Sequence, residues 1–350
     1  MGEALPLSPR PAERLPLLDG LRTLAALGVV CYHAPGAFGG TEIFGRMYLL
    51  VDLFFMLSGF VLTLSAEPKM AAGFAPTAFV RARIKRLWPM VALGALLGAG
   101  AFLMEASPGQ VLHLLLLSLL ILPLISSHVA VFPLNGPQWS IFWEIIANVV
   151  HAVLLRRMNE LSLLALAAVS GGAMVVAIFD AGWGNLGADG PGWWVPVLRI
   201  GWAYTLGVWM ARRWTAKRPT PLVDWKWTLV LPVALLALLP SLPLSYAQGD
   251  ALFFIVALPC LFWLAACAVP PKWAEVPLLR LGSISYPVYA VHVPTIFAFR
   301  LATGGREHEL AAVLTAVALA TLIALVGPRT RRAWSGLRRP RATGATASAA

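Results

Sequence analysis

LPLLDGLRTLAALGVVCYHA, residues 15–34, is the stretch on which the reading of the fold turns. A helix needs roughly 20 predominantly apolar residues to cross the hydrocarbon core of a bilayer, and this stretch has that length. Yet it carries Asp19, Arg22 and His33. Ionisable groups inside a spanning segment are costly and face a cavity or a partner. Arg22 and His33 stand eleven residues apart, which is about three full turns, so their side chains leave one face of the helix. Asp19, three residues before Arg22, joins that face. At about 1.5 Å per residue, Arg22 and His33 lie about 16 Å apart along the axis. Taken singly, Arg22 snorkelling to headgroups and His33 closing an interfacial helix end are ordinary arrangements. Their shared face is what points to a polar path.

The rest of the chain has the same character. Of 350 residues, 59% are hydrophobic and only 12% charged, with a mean hydropathy of +0.76. A soluble domain could not hide that much apolar surface. Eleven apolar segments can be drawn, at 17–35, 47–66, 88–104, 111–125, 139–155, 161–179, 194–211, 227–245, 251–269, 284–302 and 310–327. They lack the alternation of a membrane β-barrel, so helices are expected. The net charge of +11 falls in short blocks between segments, such as Arg81 to Arg86 and Arg329 to Arg339. That is the pattern of cytoplasmic loops, and it argues against a nucleic-acid surface. Basic blocks at 67–87 and 156–160 on one side require an even number of crossings between them, although three segments intervene. The shortest, 111–125, is therefore expected to be non-spanning or re-entrant. The fold expected is an all-α polytopic membrane protein. It has about ten transmembrane helices, with both termini cytoplasmic in the inner (plasma) membrane. Residues 1–16 form an N-terminal segment, 17–327 the transmembrane domain and 328–350 a basic, disordered tail. Cys31, Cys260 and Cys267 all fall in apolar segments and are expected to be reduced.

Further polar residues interrupt the other segments. VDLFFMLSGF, residues 51–60, brings Asp52 seven residues before Gly59, with Ser58 beside it. Small residues there suit close helix packing, whereas Asp52 needs a cation or a cavity. NGPQWSIFWE, residues 135–144, places Trp139, Ser140 and Glu144 near the start of the fifth segment. Trp139 alone would read as an interfacial belt residue. LGSISYPVYAVHVP, residues 281–294, carries Ser285, Tyr286, Tyr289 and His292, the last two sharing a face. FVRARIKRLWP, residues 79–89, reads as a loop in which Arg83 and Arg86 project together before Pro89 opens the next helix. Paired guanidinium forks suit phosphates, although loop charge of the ordinary kind is also compatible.

Together these motifs resemble the acyltransferase-3 superfamily of membrane acyltransferases. The Arg22–His33 spacing after LDGLR is similar to that family, as are VDLFFMLSGF, RIKRLWP, WSIFWE and GSISYPVYAVH, in that order over roughly 16–295. Leu50 departs from a common glycine, and Ala82 interrupts a frequent double arginine. The resemblance implies transfer of an acyl group, usually acetyl, from cytoplasmic acyl-CoA to a hydroxyl presented on the outer side. The acceptor would be a carbohydrate, a glycolipid or a small molecule in the cell envelope, and the short chain after the last span resembles members without an added esterase-like domain. Arg83 and Arg86, with Arg22, are then expected to hold the anionic groups of CoA. His33 is expected to act as general base or covalent relay, oriented by Glu144. Asp52 would pair with a cation in the pore, and Asp19, Trp139, Ser140, Ser285, Tyr286, Tyr289 and His292 would line it. No metal is expected. The competing class is a proton-coupled secondary transporter, since buried ionisable groups also mark such carriers; a binding or assembly protein of the envelope is a third. No internal duplication of the carrier kind is visible.

Overall fold

A computed structural model describes residues 15–40, 42–126 and 129–337; of 328–337 only the backbone is described. The expectations for residues 1–14 and 338–350 lie outside the described residues. Helix α1 (Pro16–His33) begins with a proline in its first turn, where no amide hydrogen is needed, and Asp19 sits against its positive end. Pro35, just beyond it, cannot continue the helix. Then follow α2 (Leu50–Ala71), α3 (Pro76–Phe102), α4 (Pro108–Leu119), α5 (Gln138–Val153), α6 (Glu160–Ala181), α7 (Pro196–Ala216) and α8 (Trp225–Leu238). A broken rod of α9 (Tyr246–Leu252), a π turn and α10 (Leu258–Cys267) leads to α11 (Lys272–Thr303) and α12 (Glu309–Leu337). Among the described residues there is no strand, only an isolated bridge between Ala130 and Asp189. The protein is a multi-pass helical membrane protein. Among the described residues, five helices are long and apolar enough to cross a membrane: Met47–Ala71, Gln138–Arg157, Glu160–Ala181, Tyr246–Cys267 and Glu309–Gly327. The expected ten crossings are a finer statement; α1, α3, α7 and α11, which carry much of the charge, fall outside that selection.

Three boundaries differ from the sequence reading. The arginine-rich stretch before Pro89 is not a loop. It is the first half of α3, which runs unbroken from Pro76 with Pro89 inside it. Charge does not stop a helix, and no glycine or proline interrupts residues 77–88. Likewise α11 starts at Lys272, well before residue 284, and contains Pro277, Pro287 and Pro294. α12 continues past residue 327 to Leu337. In the 111–125 region, α4 has 12 residues and opens on a Ser107–Gln110 capping box. At about 1.5 Å per residue it reaches about 18 Å, short of a crossing of about 30 Å. It ends where Ile121 adopts the left-handed conformation, φ 56°, a conformation costly for a β-branched residue.

The tightest helix pair is α2 on α7. A Cβ on Gly59 would stand 2.2 Å from the Tyr204 carbonyl oxygen, and one on Gly207 would stand 2.1 Å from that of Met56. Two glycines thus let the backbones meet, as small residues do in lipid. α1 lies along α11, and α11 also packs on α3 and α12. α1, α2, α3, α5 and α11 enclose the polar interior.

Candidate active site

Among the described residues, one cavity in that interior lies towards the beginning of α1 and another at its end. The first, about 140 Å³, is lined by Arg22, Ser58, Arg83, Arg86, Ser140, Glu144, Ser285, Tyr286 and Tyr289, with apolar residues of α2. Arg22 donates from Nε to Ser285 Oγ at 3.0 Å and pairs with Asp19. Ser285 in turn donates to the Gly282 carbonyl at 2.8 Å. The arginine is therefore held at both ends of its guanidinium. Glu144 accepts from Arg83 Nη2 at 2.6 Å and from Ser58 at 3.0 Å. Arg83 Nε is buried without a hydrogen-bond partner among the described residues. Arg86 lines the same cavity and has no ion-pair partner among them. Three guanidiniums against two carboxylates leave a net positive cavity with an unspent donor. It can hold anionic oxygens. The fork of Arg83 and Arg86 arises because i and i+3 on a continuous helix share a face, so the helical extension of α3 builds the site.

Opposite the arginines, Tyr289 closes the cavity. Ser140 donates to Pro137 O at 3.0 Å, so the 2.7 Å contact between Ser140 and Tyr289 is a donation by the tyrosine hydroxyl. Tyr286 donates to the Leu87 carbonyl at 2.6 Å, tying α11 to α3. Behind Tyr289 stands His292, ring centroids 5.8 Å apart, and behind it His33, 5.0 Å further. His292 Nε2 is 3.1 Å from His33 Nδ1.

His33 lines the second cavity, about 150 Å³, with Phe102, Leu134, Phe297 and Arg300 among its walls. Arg300 Nη2 donates to the His33 carbonyl at 2.8 Å, and its Nε to Glu309 at 2.6 Å. Glu309 also caps the Gly36 amide at 2.6 Å. The chain turn after α1 is thereby pinned to α11 and α12. A file of rings, Tyr289, His292 and His33, joins the two cavities.

The residues expected at the site therefore separate into groups. Arg22, Arg83, Arg86, Ser140, Glu144, Ser285, Tyr286 and Tyr289 come together around the first cavity. His33 and His292 form a pair beyond it, and the partner of Glu144 is Arg83, while the ring partner of His33 is His292. Asp52 stands apart from both cavities. It is 1% exposed and accepts two bonds from Arg199, 2.9 and 2.8 Å. Trp139 packs beside this pair, with the Arg199 guanidinium 5.2 Å over its ring. Sequence reasoning passed over Arg199, although it is a cation inside an apolar segment and Asp52 called for one. Arg300 and Glu309 were also missed. So was Arg46, which pairs with Asp250 at 2.5 Å, both almost wholly buried. The signal was the same in each case: an unexplained charge inside or beside a span.

Comparison with known proteins decides the kind of chemistry. The family model described as an acyltransferase domain, Acyl_transf_3, matches residues 15–327. The chain belongs to the acyltransferase-3 family. It is similar to a protein named as a membrane-bound transacylase, BcsY, from Komagataeibacter xylinus. They are 29% identical over 340 residues, 90% of this chain and 82% of that protein. It is also 37% identical over 165 residues to "Protein 2 in picA locus" of Rhizobium radiobacter, 42% of this chain and 85% of that one. No solved structure matches. As a family member, the protein is a membrane acyltransferase, and the acyltransferase domain matches most of the chain.

Proposed function

We propose that this acyltransferase takes an acyl group, acetyl in the simplest case, from acyl-CoA on the cytoplasmic side. It passes the group to a hydroxyl on the outer side. The observation that carries the reading is the separation of a cationic cavity, holding Arg22, Arg83 and Arg86, from a second cavity lined by His33. In this account the chain crosses the plasma membrane ten times, α4 does not cross, and both ends are cytoplasmic. The block at 81–86 supports that orientation, because Arg83 and Arg86 line the same cavity as Arg22, near the beginning of α1.

The arginines would bind the phosphates of CoA. Among the described residues, Arg83 Nε and the guanidinium of Arg86 are donors without a hydrogen-bond partner and so are open to a ligand. Glu144 and Asp19 hold Arg83 and Arg22 in place and limit their rotation. The acyl arm would run past Tyr286 and Tyr289 towards the rings. At His33, Nε2 takes the proton of the acceptor hydroxyl as its oxygen bonds to the thioester carbonyl carbon. The carbon–sulfur bond breaks, and the proton passes to the departing thiolate. In the covalent variant, Nε2 itself bonds to the acyl carbon and CoA leaves. The acceptor oxygen then bonds to the acyl carbon as the carbon–nitrogen bond breaks, and the hydroxyl proton passes by way of the freed imidazole to the CoA thiolate. Either route makes His33 indispensable. Asp52 is proposed to act indirectly, by holding Arg199 and so fixing α2 against α7. The acceptor is proposed to be a carbohydrate, glycolipid or other envelope hydroxyl compound.

Replacing His33 with alanine in intact cells is the test. Acylation of the envelope acceptor should fall by at least about 10²-fold, the usual range for losing a general base, with the amount of folded protein in the membrane unchanged. Near-normal acylation would remove His33 from the reaction.

A further inference from the structure

The two histidines are hydrogen-bonded in a way that fixes where each proton sits. His292 Nδ1 lies 3.1 Å from Val288 O and 2.9 Å from Tyr289 O. Carbonyl oxygens only accept, so Nδ1 carries the ring hydrogen. His292 is wholly buried, and in the neutral ring its other nitrogen is then a lone pair. That lone pair, on Nε2, faces His33 Nδ1 at 3.1 Å. His33 Nδ1 also lies 2.9 Å from Val29 O. Two acceptors converge on one nitrogen, so it must be the donor. Were the proton on His292 Nε2 instead, a lone pair of His33 would face the Val29 carbonyl at that distance.

We propose that His292 is a positioning residue that sets the tautomer of His33, holding the hydrogen on Nδ1 and the lone pair on Nε2, the ring nitrogen left for the acceptor hydroxyl. This deepens the reading of His33 as base or relay and rests on it. The surroundings hold the pair in register. Tyr32 packs edge-on to His33 at 4.9 Å, Tyr289 flanks His292 at 5.8 Å, and Arg300, itself paired with Glu309, grips the His33 carbonyl. Of these groups only His292 touches the His33 ring through a side-chain nitrogen. The cost of a wrong tautomer is that the nitrogen facing the substrate already bears a hydrogen and cannot take another.

Two substitutions separate this role from plain packing. In His292→Gln the side-chain oxygen can reach the place of Nε2, so the acceptor for His33 is kept. In His292→Asn the amide can reach only the place of Nδ1, so the tether to the carbonyls is kept and the acceptor is lost. We expect His292→Gln to stay within about tenfold of wild type in transferring label from radiolabelled acetyl-CoA to the envelope fraction. His292→Asn should lose on the order of 10²-fold. A purely structural His292 would give the opposite order, and that order would overturn the proposal. Ring-nitrogen NMR of the wild-type protein in lipid bilayers, in mildly alkaline buffer, needs no variant and no ligand. His33 assigned through its sequential neighbours should show hydrogen on Nδ1 and none on Nε2. Hydrogen on Nε2 instead would overturn the proposal whatever the variants do. Full transfer activity in His33→Ala, with the expected tautomer in wild type, would instead sink the base reading and leave the tautomer assignment standing.

Discussion

At the level of single residues, the chemistry rests on how each charge is held. Arg83 is fixed by Glu144 at 2.6 Å, and a lysine there would keep the charge while losing the fork. Arg83→Lys should raise the acetyl-CoA concentration giving half-maximal transfer by about tenfold, the equivalent of about 1.4 kcal/mol. Titrating membranes with labelled acetyl-CoA would measure it, and an unchanged value would remove Arg83 from the donor site. The common face of Arg22 and His33 was legible in the sequence, because helical periodicity alone places residues eleven apart together. The contact between His33 and His292 was not. They are 259 positions apart, and nothing in either segment says that α1 lies along α11. Glu144 illustrates the same limit. It was expected beside His33, yet it lines the arginine cavity and pairs with Arg83, a partner that depends on α3 being helical through Arg83.

Between elements, the joint of α2 and α7 is the most constrained contact. Gly59→Ala should lower the thermal midpoint, because the added carbon would meet the Tyr204 carbonyl, a backbone atom that cannot rotate away. Overpacking of this kind costs about 1–3 kcal/mol. Asp52→Ala should do more harm. It leaves Arg199 buried without its carboxylate, a loss of about 3–5 kcal/mol for a broken buried pair. Thermal unfolding in detergent would report both, and replacing Asp52 and Arg199 together by leucine should recover part of the loss. A single Asp52→Ala as stable as wild type would contradict the structural role assigned to the pair. Asp52 announced itself as needing a cation, since an unpaired carboxylate in lipid is costly. Arg199, 147 positions away, was visible as an anomaly yet could be matched to Asp52 only by the fold. The misreading of FVRARIKRLWP has a local cause: Pro89 was taken as a helix start, but a proline can also sit inside a long helix whose flanking turns are held by neighbours.

The molecule as a whole is polarised: a cationic cavity at one end, a histidine cavity at the other, and a file of rings between. Hydropathy revealed the membrane class and the short α4. Among the described residues it selected five helices by length and apolarity, because helices such as α1 and α3 carry the charges that the proposed chemistry uses. Orientation is open to a direct check. With the native cysteines replaced, a cysteine at Ala72, between α2 and α3, should react with an impermeant thiol reagent only after cells are opened. One at Glu105, between α3 and α4, should react in intact cells; the reverse pattern would invert the proposed topology.

The central claim is that acyl groups enter at the arginine end and leave at the histidine end. Inside-out membrane vesicles, with their cytoplasmic face outward, given acetyl-CoA radiolabelled in the acetyl group, test it most directly. Label should appear on acceptors enclosed in the vesicles and should need intact His33, while intact right-side-out vesicles supplied externally should accumulate none. Labelling that is equal in both vesicle orientations, or that persists without His33, would contradict it.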